Sequence, residues 1–211
     1  TISMQVEDEV GATCTSTMTY TVGTAPSITI DAPSDGDVIN EGTLITFSAT
    51  VSDAQDQSND VALDWVVDGN SISTQGATSS GEATFSDASL TYGVRSLVVT
   101  ATDTDGLTDS DQITFTINGL PTAPVVSFNP DPVTTSDGLN VSIDTPSVDP
   151  EGLTPTYNYE WQLGGQPQTA YTTNSVPSSA TTKGEQWTVI VTPNDGIADG
   201  ASGSATILIQ N

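Results

Sequence analysis

The sequence predicts an all-β protein built from repeated β-sandwich units. Three observations lead to this prediction. Short apolar runs alternate with polar residues, turn signals separate the runs, and long stretches of the chain align with each other at a fixed offset. Because no stretch shows the 3.6-residue period of an amphipathic helix, the fold class depends on strands alone.

The predicted strands are rich in β-branched residues, which fit a pleated and half-buried surface. The clearest runs are Ser27–Ile30, Leu44–Ser48, Leu97–Ala101 and Ile113–Ile117. Asp-Gly, Asn-Asp-Gly and Gly-Gly sequences separate the strand-like runs and supply the positive φ that tight turns need. The pattern therefore indicates short strands joined by tight turns.

The internal repeat is clearest around two tryptophans. Residues 53–69 align without a gap on residues 149–165, at an offset of 96. The alignment places Trp65 on Trp161 and Asp53 on Asp149. A repeat of this kind decides the fold, because each copy is one structural unit.

A second alignment brings in the N-terminal residues. Residues 6–22 lie on residues 101–117 at an offset of 95, and residues 191–209 repeat the pattern with two extra residues after the turn. The chain is therefore predicted to hold two full units and one partial one. The full units are 25–118 and 122–210, and residues 1–24 are the last hairpin, strands F and G, of a preceding unit.

The joints between units are short and contain proline. Gly119–Pro124 links the two full units, and Thr24–Pro26 follows the N-terminal hairpin. Proline restricts the backbone, so these joints are predicted to be semi-rigid links rather than Gly/Ser tethers. About seven short strands per unit, with a tryptophan on the third, fit an immunoglobulin-like (Ig-like) sandwich.

Several segments resemble a known family of repeats. Leu90–Gly106 resembles the strand E–F–G signature of PKD domains and related bacterial or archaeal Ig-like and cadherin-like repeats. Asp149–Thr154, with Tyr159–Trp161 and Thr192–Gly196, looks like another subtype of that family. The resemblance implies tandem PKD-like sandwiches in a secreted or cell-surface array. Such an array serves as a stalk, spacer, adhesin or lattice element and implies no catalysis.

The charge of the chain excludes several classes of partner. It has 27 acidic residues against 2 basic ones and no histidine, which gives a formal net charge of −25. A surface this negative repels nucleic-acid phosphates and anionic lipid headgroups. No apolar run is long enough to cross a bilayer. The aspartate excess suits an extracellular, saline medium in which salt screens the self-repulsion.

Catalysis is also predicted to be absent. Without histidine the chain lacks the usual general base near neutral pH and the commonest metal-binding imidazole. Carboxylate pairs such as Asp64 with Asp68, or Asp35 with Asp37, could imitate those of a glycosidase. A glycosidase also needs one carboxyl group of raised pKa in a cleft. Nothing in the pattern builds a cleft.

The acidic F–G turn of the first full unit is the feature most suggestive of a metal. Calcium takes six to eight oxygen ligands, and an Asp-x-Asp-Gly turn can gather such oxygens. The candidate calcium ligands are Asp103, Asp105, Asp109 and Asp111, with Asp195 in the aligned turn of the second unit. The alternative is a solvated acidic loop, since Asp also builds turns by accepting hydrogen bonds from nearby amides.

The B–C loops are a second candidate for calcium. Asp53 and Asp56 lie in this loop of the first unit, and Asp149 and Glu151 lie in it in the second. The resemblance to cadherin-like modules implies that these residues can meet an F–G turn and bind calcium at a junction. The linker lacks the acidic run that such junctions use, so turn formation is the favoured explanation.

Two residues are candidates for covalent modification. Cys14 is the single cysteine, so a disulfide would join it to another domain or chain, and the alternative is a free thiol. Asn140-Val141-Ser142 is the only Asn-x-Ser/Thr sequon. Asn140 is therefore a candidate glycan site in an extracellular setting.

Two functions from different classes remain. The first is a structural or adhesive element, whether stalk, filament or surface-lattice subunit, whose partners are neighbouring repeats or other copies of the chain. The alternative is a carbohydrate- or ligand-binding accessory module of a secreted enzyme, with exposed aromatic side chains. Trp65, Trp161 and Trp187 fall on predicted strands C and F. Ig-like cores bury an indole on strand C, so core packing and the first function are favoured.

Overall fold

The computed structural model describes residues 2–19 and 22–210, and its regular structure is almost entirely β-strand. The strands up to residue 118 are β1 (Ile2–Glu7), β2 (Thr13–Met18), β3 (Ser27–Ala32), β4 (Val38–Asn40), β5 (Ile45–Ser52), β6 (Ala62–Val67), β7 (Asn70–Ser73), β8 (Glu82–Asp87), β9 (Gly93–Thr102) and β10 (Thr108–Asn118). Those that follow are β11 (Val125–Phe128), β12 (Leu139–Thr145), β13 (Thr156–Leu163), β14 (Gln166–Pro167), β15 (Ser175–Val176), β16 (Gln186–Asn194) and β17 (Gly203–Leu208). Among the described residues, the helical elements are the 3-10 turns Ser58–Asp60 and Ser178–Ala180. The all-β fold class predicted from the sequence is confirmed.

The described chain forms two compact units. One contains the chain up to Asp35 together with Thr46–Ser86 and Ser96–Ile113, and the other contains Gly36–Ile45, Asp87–Arg95 and the chain from Thr114 onward. The strands pair only with partners from the same stretch of sequence, and these stretches are 2–18, 27–118 and 125–208. The domain limits drawn from the repeat remain a prediction.

Residues 27–118 form two sheets. Their strand orders are β3-β5-β8 and β4-β10-β9-β6-β7, and β4 runs parallel to the end of β10. Aromatic rings connect the sheets. Phe47 on β5 stacks on Phe85 on β8 at 4.9 Å, and Trp65 on β6 meets Phe85 edge to face at 5.0 Å. The sheets therefore pack face to face as a sandwich, with Phe47 and Trp65 fully buried.

Residues 125–208 also form two sheets, with the orders β11-β12-β15 and β14-β13-β16-β17. Phe128 on β11 lies 6.0 Å from Trp161 on β13, ring centre to ring centre, and Trp161 lies 6.3 Å from Trp187 on β16. Buried valine, leucine and isoleucine side chains complete this core. Burial of this apolar surface is the main source of stability for such a sandwich.

In both repeats the tryptophan of strand C, which is β6 in the first repeat and β13 in the second, makes a hydrogen bond through its indole. The indole N–H of Trp65 donates to the carbonyl of Gln75 at 3.0 Å, and that of Trp161 donates to the carbonyl of Thr173 at 2.8 Å. A buried indole needs such a partner, because an unpaired polar group in a core is costly. The shared hydrogen bond supports the alignment of Trp65 with Trp161.

The N-terminal hairpin pairs β1 with β2 in six residue pairs, from Ile2 with Met18 to Glu7 with Thr13. Every residue of both strands is exposed. Side chains alternate along a strand, so Ile2, Met4 and Val6 share one face. This face, with Met18 opposite Ile2, is called the hairpin face below.

Candidate functional sites

Asp103 closes the turn between β9 and β10 with its own side chain. Its Oδ1 accepts a hydrogen bond of 2.7 Å from the Leu107 amide, and its amide donates to the Leu107 carbonyl at 3.0 Å. Asp8 in the N-terminal hairpin and Asp195 between β16 and β17 make the same closure. Asp105 is exposed in the Asp103 turn. Turn formation thus accounts for Asp103 and for its equivalents.

The structure does not gather the four aspartates of this region into one turn. Because β10 begins at Thr108, Asp109 and Asp111 lie on the strand. Asp109 Oδ2 accepts from the amide of Ile28 at 3.2 Å, and Asp111 Oδ2 accepts from the amide of Ile30 at 2.8 Å. Both carboxylates are therefore engaged with the backbone of β3.

The loop between β5 and β6, which is the B–C loop of the first full repeat, contacts the turn between β9 and β10, which is its F–G turn. Asp53 Oδ1 accepts from the amides of Gln55 and Asp56, both at 2.7 Å. Asp56 Oδ2 in turn accepts from the amide of Thr104 at 3.0 Å and from its hydroxyl at 2.8 Å. Aspartate side chains thus hold the loop and the turn together.

The equivalent loop of the second repeat contains a buried carboxylate that is only half satisfied. Asp149 is 4 % exposed, and its Oδ1 accepts from the amides of Glu151 and Leu153 at 3.1 and 3.0 Å. Its Oδ2 is buried, and no described residue hydrogen-bonds to it. The same holds for Oδ2 of Asp53 and for the hydroxyl of Ser147. Buried polar atoms in native proteins usually have a hydrogen-bond partner, so these three oxygens are exceptions.

Two acidic candidates contact the residues at the end of β10. The side-chain amide of Asn118 donates to Asp195 Oδ2 at 3.0 Å, and the backbone amide of Gly119 donates to Glu151 Oε1 at 2.7 Å. Both contacts lie in the unit that runs from Thr114 onward. Each of these carboxylates therefore already has a donor.

The hydrogen bonds of Asp195 alter its acidity. Burial disfavours the charged form, but the bonds from the Ala198 amide, the Asn118 side chain and the Ile197 amide outweigh it. The pKa of Asp195 is therefore held below the usual aspartate value. The carboxylate stays ionised and keeps its turn closed at neutral pH.

Within the described residues, no three His, Cys, Asp or Glu side chains form a group that could hold a metal ion. The predicted ligands are instead spread over two repeats. The calcium hypothesis is untested by this arrangement and stays a prediction.

The two candidate modification sites are accessible. Cys14 is exposed on β2 opposite Val6, and its thiol is free. Asn140 is exposed on β12, and its side-chain amide donates to the Gly138 carbonyl at 3.4 Å.

The second repeat contains a cavity of about 310 Å³ that was not predicted from the sequence. It is lined by Tyr159, Glu160, Trp161, Pro167, Gln168, Thr169, Tyr171 and Thr172. One signal in the repeat could have revealed it. At the offset of 96, Leu63 aligns with Tyr159, and Leu63 is buried whereas Tyr159 is partly exposed. A tyrosine in place of an aliphatic core residue marks the site.

None of the helices in the described part of the chain is long and apolar enough to span a membrane. Residues 26–99 match the family model of the bacterial Ig domain. The chain is 31 % identical over 175 residues to Chitinase ChiA of Flavobacterium johnsoniae, an alignment that covers 75 % of this chain and 11 % of the relative. The chain thus spans about a ninth of the length of this relative.

Two solved structures are similar over most of the chain. The eight N-terminal Ig domains of Down Syndrome Cell Adhesion Molecule share 14 % identity at a TM-score of 0.49, covering 99 % of this chain and 30 % of that one. The fibronectin(III)-like modules of Clostridium thermocellum CbhA share 17 % at 0.39, covering 87 % and 94 %. The PKD-like or cadherin-like subtype stays a prediction, and the family match is limited to residues 26–99, which are similar to a bacterial Ig domain.

Proposed function

We propose that the chain is a non-catalytic structural element of a longer extracellular protein, in which Ig-like repeats serve as load-bearing spacers. The observation that carries this proposal is the hairpin face. Ile2, Met4 and Val6 are 64 %, 64 % and 56 % exposed. At the offset of 95 they align with three fully buried residues of β9, which are Leu97, Val99 and Ala101.

The buried residues of β9 indicate which kind of partner would fit the hairpin face. In the first full repeat, the same face of β9, which is strand F, forms part of a closed core. An isolated two-stranded hairpin is marginally stable in water. The remaining strands of a preceding Ig-like repeat are the partner of matching shape and chemistry. Residues 1–24 are therefore proposed to complete a further repeat, either within a longer chain or between copies.

Composition supports an extracellular setting. A net charge of −25 keeps the repeats soluble and apart from nucleic acid. The similarity to about a ninth of a longer chitinase fits a module within a larger polypeptide. An accessory module of a secreted enzyme is the second candidate, because that relative is an enzyme. All three tryptophans are at most 1 % exposed, so none offers a flat platform for sugar stacking.

We also propose a cation at the B–C loop of the second repeat. The F–G turn of the first repeat fits calcium poorly, because Asp103, Asp109 and Asp111 already accept backbone amides. The loop around Asp149 fits better, since Asp149 Oδ2 and the Ser147 hydroxyl are buried without a described partner. Calcium prefers such oxygen ligands. A bound water is the alternative occupant.

Single-molecule force spectroscopy on the whole chain tests the spacer role. Each full repeat has about 90 residues, so its unfolding should release roughly 30 nm of chain. We expect two separate events of that size. One event of about twice the length, or extension without defined events, would contradict two independently load-bearing repeats.

A further inference from the structure

The cavity in the second repeat is built where sheet coverage is incomplete. β14 pairs with only two residues of β13, Gln162 and Leu163. β16 pairs with the opposite edge of β13. Residues 167–172 run past the part of β13 that precedes Gln162. The amide of Gln168 donates to the Trp161 carbonyl at 2.7 Å, which anchors this crossing segment. The cavity therefore lies between a strand and a fixed loop.

Two tyrosines form the aromatic part of the wall. Tyr159 and Tyr171 are both partly exposed, whereas Trp161 is fully buried beneath them. Tyr171 packs edge to face on Trp187 at 6.1 Å, so its ring is held from behind. Burial, with the neighbouring Tyr157, raises the pKa of the Tyr159 hydroxyl, so this group is neutral and can both donate and accept.

Apart from the carboxylate of Glu160, the polar groups of the wall are neutral, and several of them have no hydrogen-bond partner among the described residues. Among the described residues, none hydrogen-bonds to the hydroxyl of Tyr159 or Tyr171. Gln168 uses its side-chain N–H on the Gln166 carbonyl at 3.2 Å, which leaves its Oε1 as an acceptor. Thr169 and Thr172 add two exposed hydroxyls. The site thus combines two tyrosine side chains with several short-range donors and acceptors.

We infer that this cavity binds one pyranose ring of a neutral glycan. A sugar ring presents apolar C–H groups on its faces and hydroxyls around its rim, which match the tyrosine rings and the Gln and Thr groups. A volume of about 310 Å³ is at the low end for ligand sites. It therefore suits a single sugar unit. The acidic chain and Glu160 in the lining disfavour uronic or sulfated sugars.

This site is confined to the second repeat and does not depend on the spacer role. In the first repeat the position of Tyr159 is held by Leu63, which is 4 % exposed and part of the core. The two repeats thus share a fold but differ in this wall. Force resistance and sugar binding are therefore separable by experiment.

Isothermal titration calorimetry on the whole chain tests the inference. The probes are glucose, mannose, galactose, xylose, N-acetylglucosamine and their short oligomers, with galacturonic acid as the anionic control. We expect at least one neutral sugar to bind with a millimolar or tighter Kd, and galacturonic acid not to bind. Tyr159→Leu, which installs the residue of the first repeat, should weaken binding at least fivefold. Gln168→Ala should also weaken it.

Tyr92→Leu is the matched control, because Tyr92 is an exposed tyrosine of the first repeat. It should leave the affinity unchanged. Thermal melting of each variant distinguishes a loss of binding from a loss of fold. If Tyr159→Leu fails to fold, Gln168→Ala tests the cavity in its place. Failure of every neutral sugar to saturate the protein would overturn the inference. So would binding that neither cavity variant weakens.

Discussion

Asp111 Oδ2 accepts a 2.8 Å hydrogen bond from the backbone amide of Ile30, so a side chain of β10 bonds the strand β3. β3 is the last strand of its sheet. Asp109 does the same for the amide of Ile28 at 3.2 Å. Exposed edge amides are a template for pairing with other chains. The two carboxylates occupy amides that such pairing would use.

Replacement of Asp111 by alanine should leave the Ile30 amide, at the edge of β3, without its acceptor. We expect Asp111→Ala to lower the free energy of unfolding by about 1–2 kcal/mol, because the Ile30 amide loses a charged acceptor. We also expect a rise in self-association. Urea unfolding and light scattering measure the two effects. Asp105→Ala removes the same charge from an exposed turn position and should change neither, so equal effects of both variants would contradict this role.

Replacement of Met4 by lysine tests the hairpin face. Met4 is 64 % exposed, whereas its repeat equivalent Val99 is fully buried. We expect Met4→Lys to leave the urea midpoint of the two full repeats unchanged and to reduce any oligomer seen by light scattering. Val99→Lys should abolish folding of the first repeat, because it buries an unpaired charge. If Met4→Lys were as destabilising as Val99→Lys, the face would already be packed within this chain.

Replacement of Gly203 by alanine should disturb the start of β17. A Cβ at this position would clash with the carbonyl oxygen of Pro124, which belongs to the backbone and cannot rotate away. Overpacking of this kind costs about 1–3 kcal/mol. Gly76→Ala is the control, since no atom lies within 4 Å of its Cβ. Thermal melts of both variants check the prediction, and an unchanged melt for Gly203→Ala would refute it.

Replacement of Asp195 by asparagine should change how stability depends on pH. The folded pKa of Asp195 lies below the ordinary value of 3.8. Its contribution is therefore fully present above the unfolded pKa and is lost as the pH falls through the folded pKa. We expect Asp195→Asn to be less stable than wild type at pH 7, with the difference shrinking below pH 3.8. Urea titrations at stepped pH measure this, with Asp105→Asn as the charge-matched control.

Calcium should stabilise the second repeat if a cation occupies the loop around Asp149. We expect calcium to raise the melting temperature of the wild type more than magnesium does, because calcium accepts irregular oxygen sites. Asp149→Asn should abolish the calcium-dependent increment, while Asp105→Asn should retain it. An equal response to both ions, or no response, would leave water as the occupant.

The sequence was a sound guide to features that depend on local chemistry. Alternation and turn residues predicted the strands, and the repeat predicted that Trp65 and Trp161 are equivalent. The role of Asp109 and Asp111 could not be predicted, because it depends on which strand lies across from β10. The cavity could not be predicted either, because it depends on how many residues of β13 are paired with β14.

The closure of the F–G turns by Asp8, Asp103 and Asp195 has a consequence for how such repeats diversify. Each turn is fastened at its base by a carboxylate. In the Asp103 turn Thr104 also donates to Asp56 of the B–C loop, so residues 105 and 106 are the positions at which a peptide segment can be exchanged with the least effect on the strands. This turn is the natural place to graft a label or an affinity tag, and the place where related chains can acquire new surface chemistry while the sandwich is inherited intact.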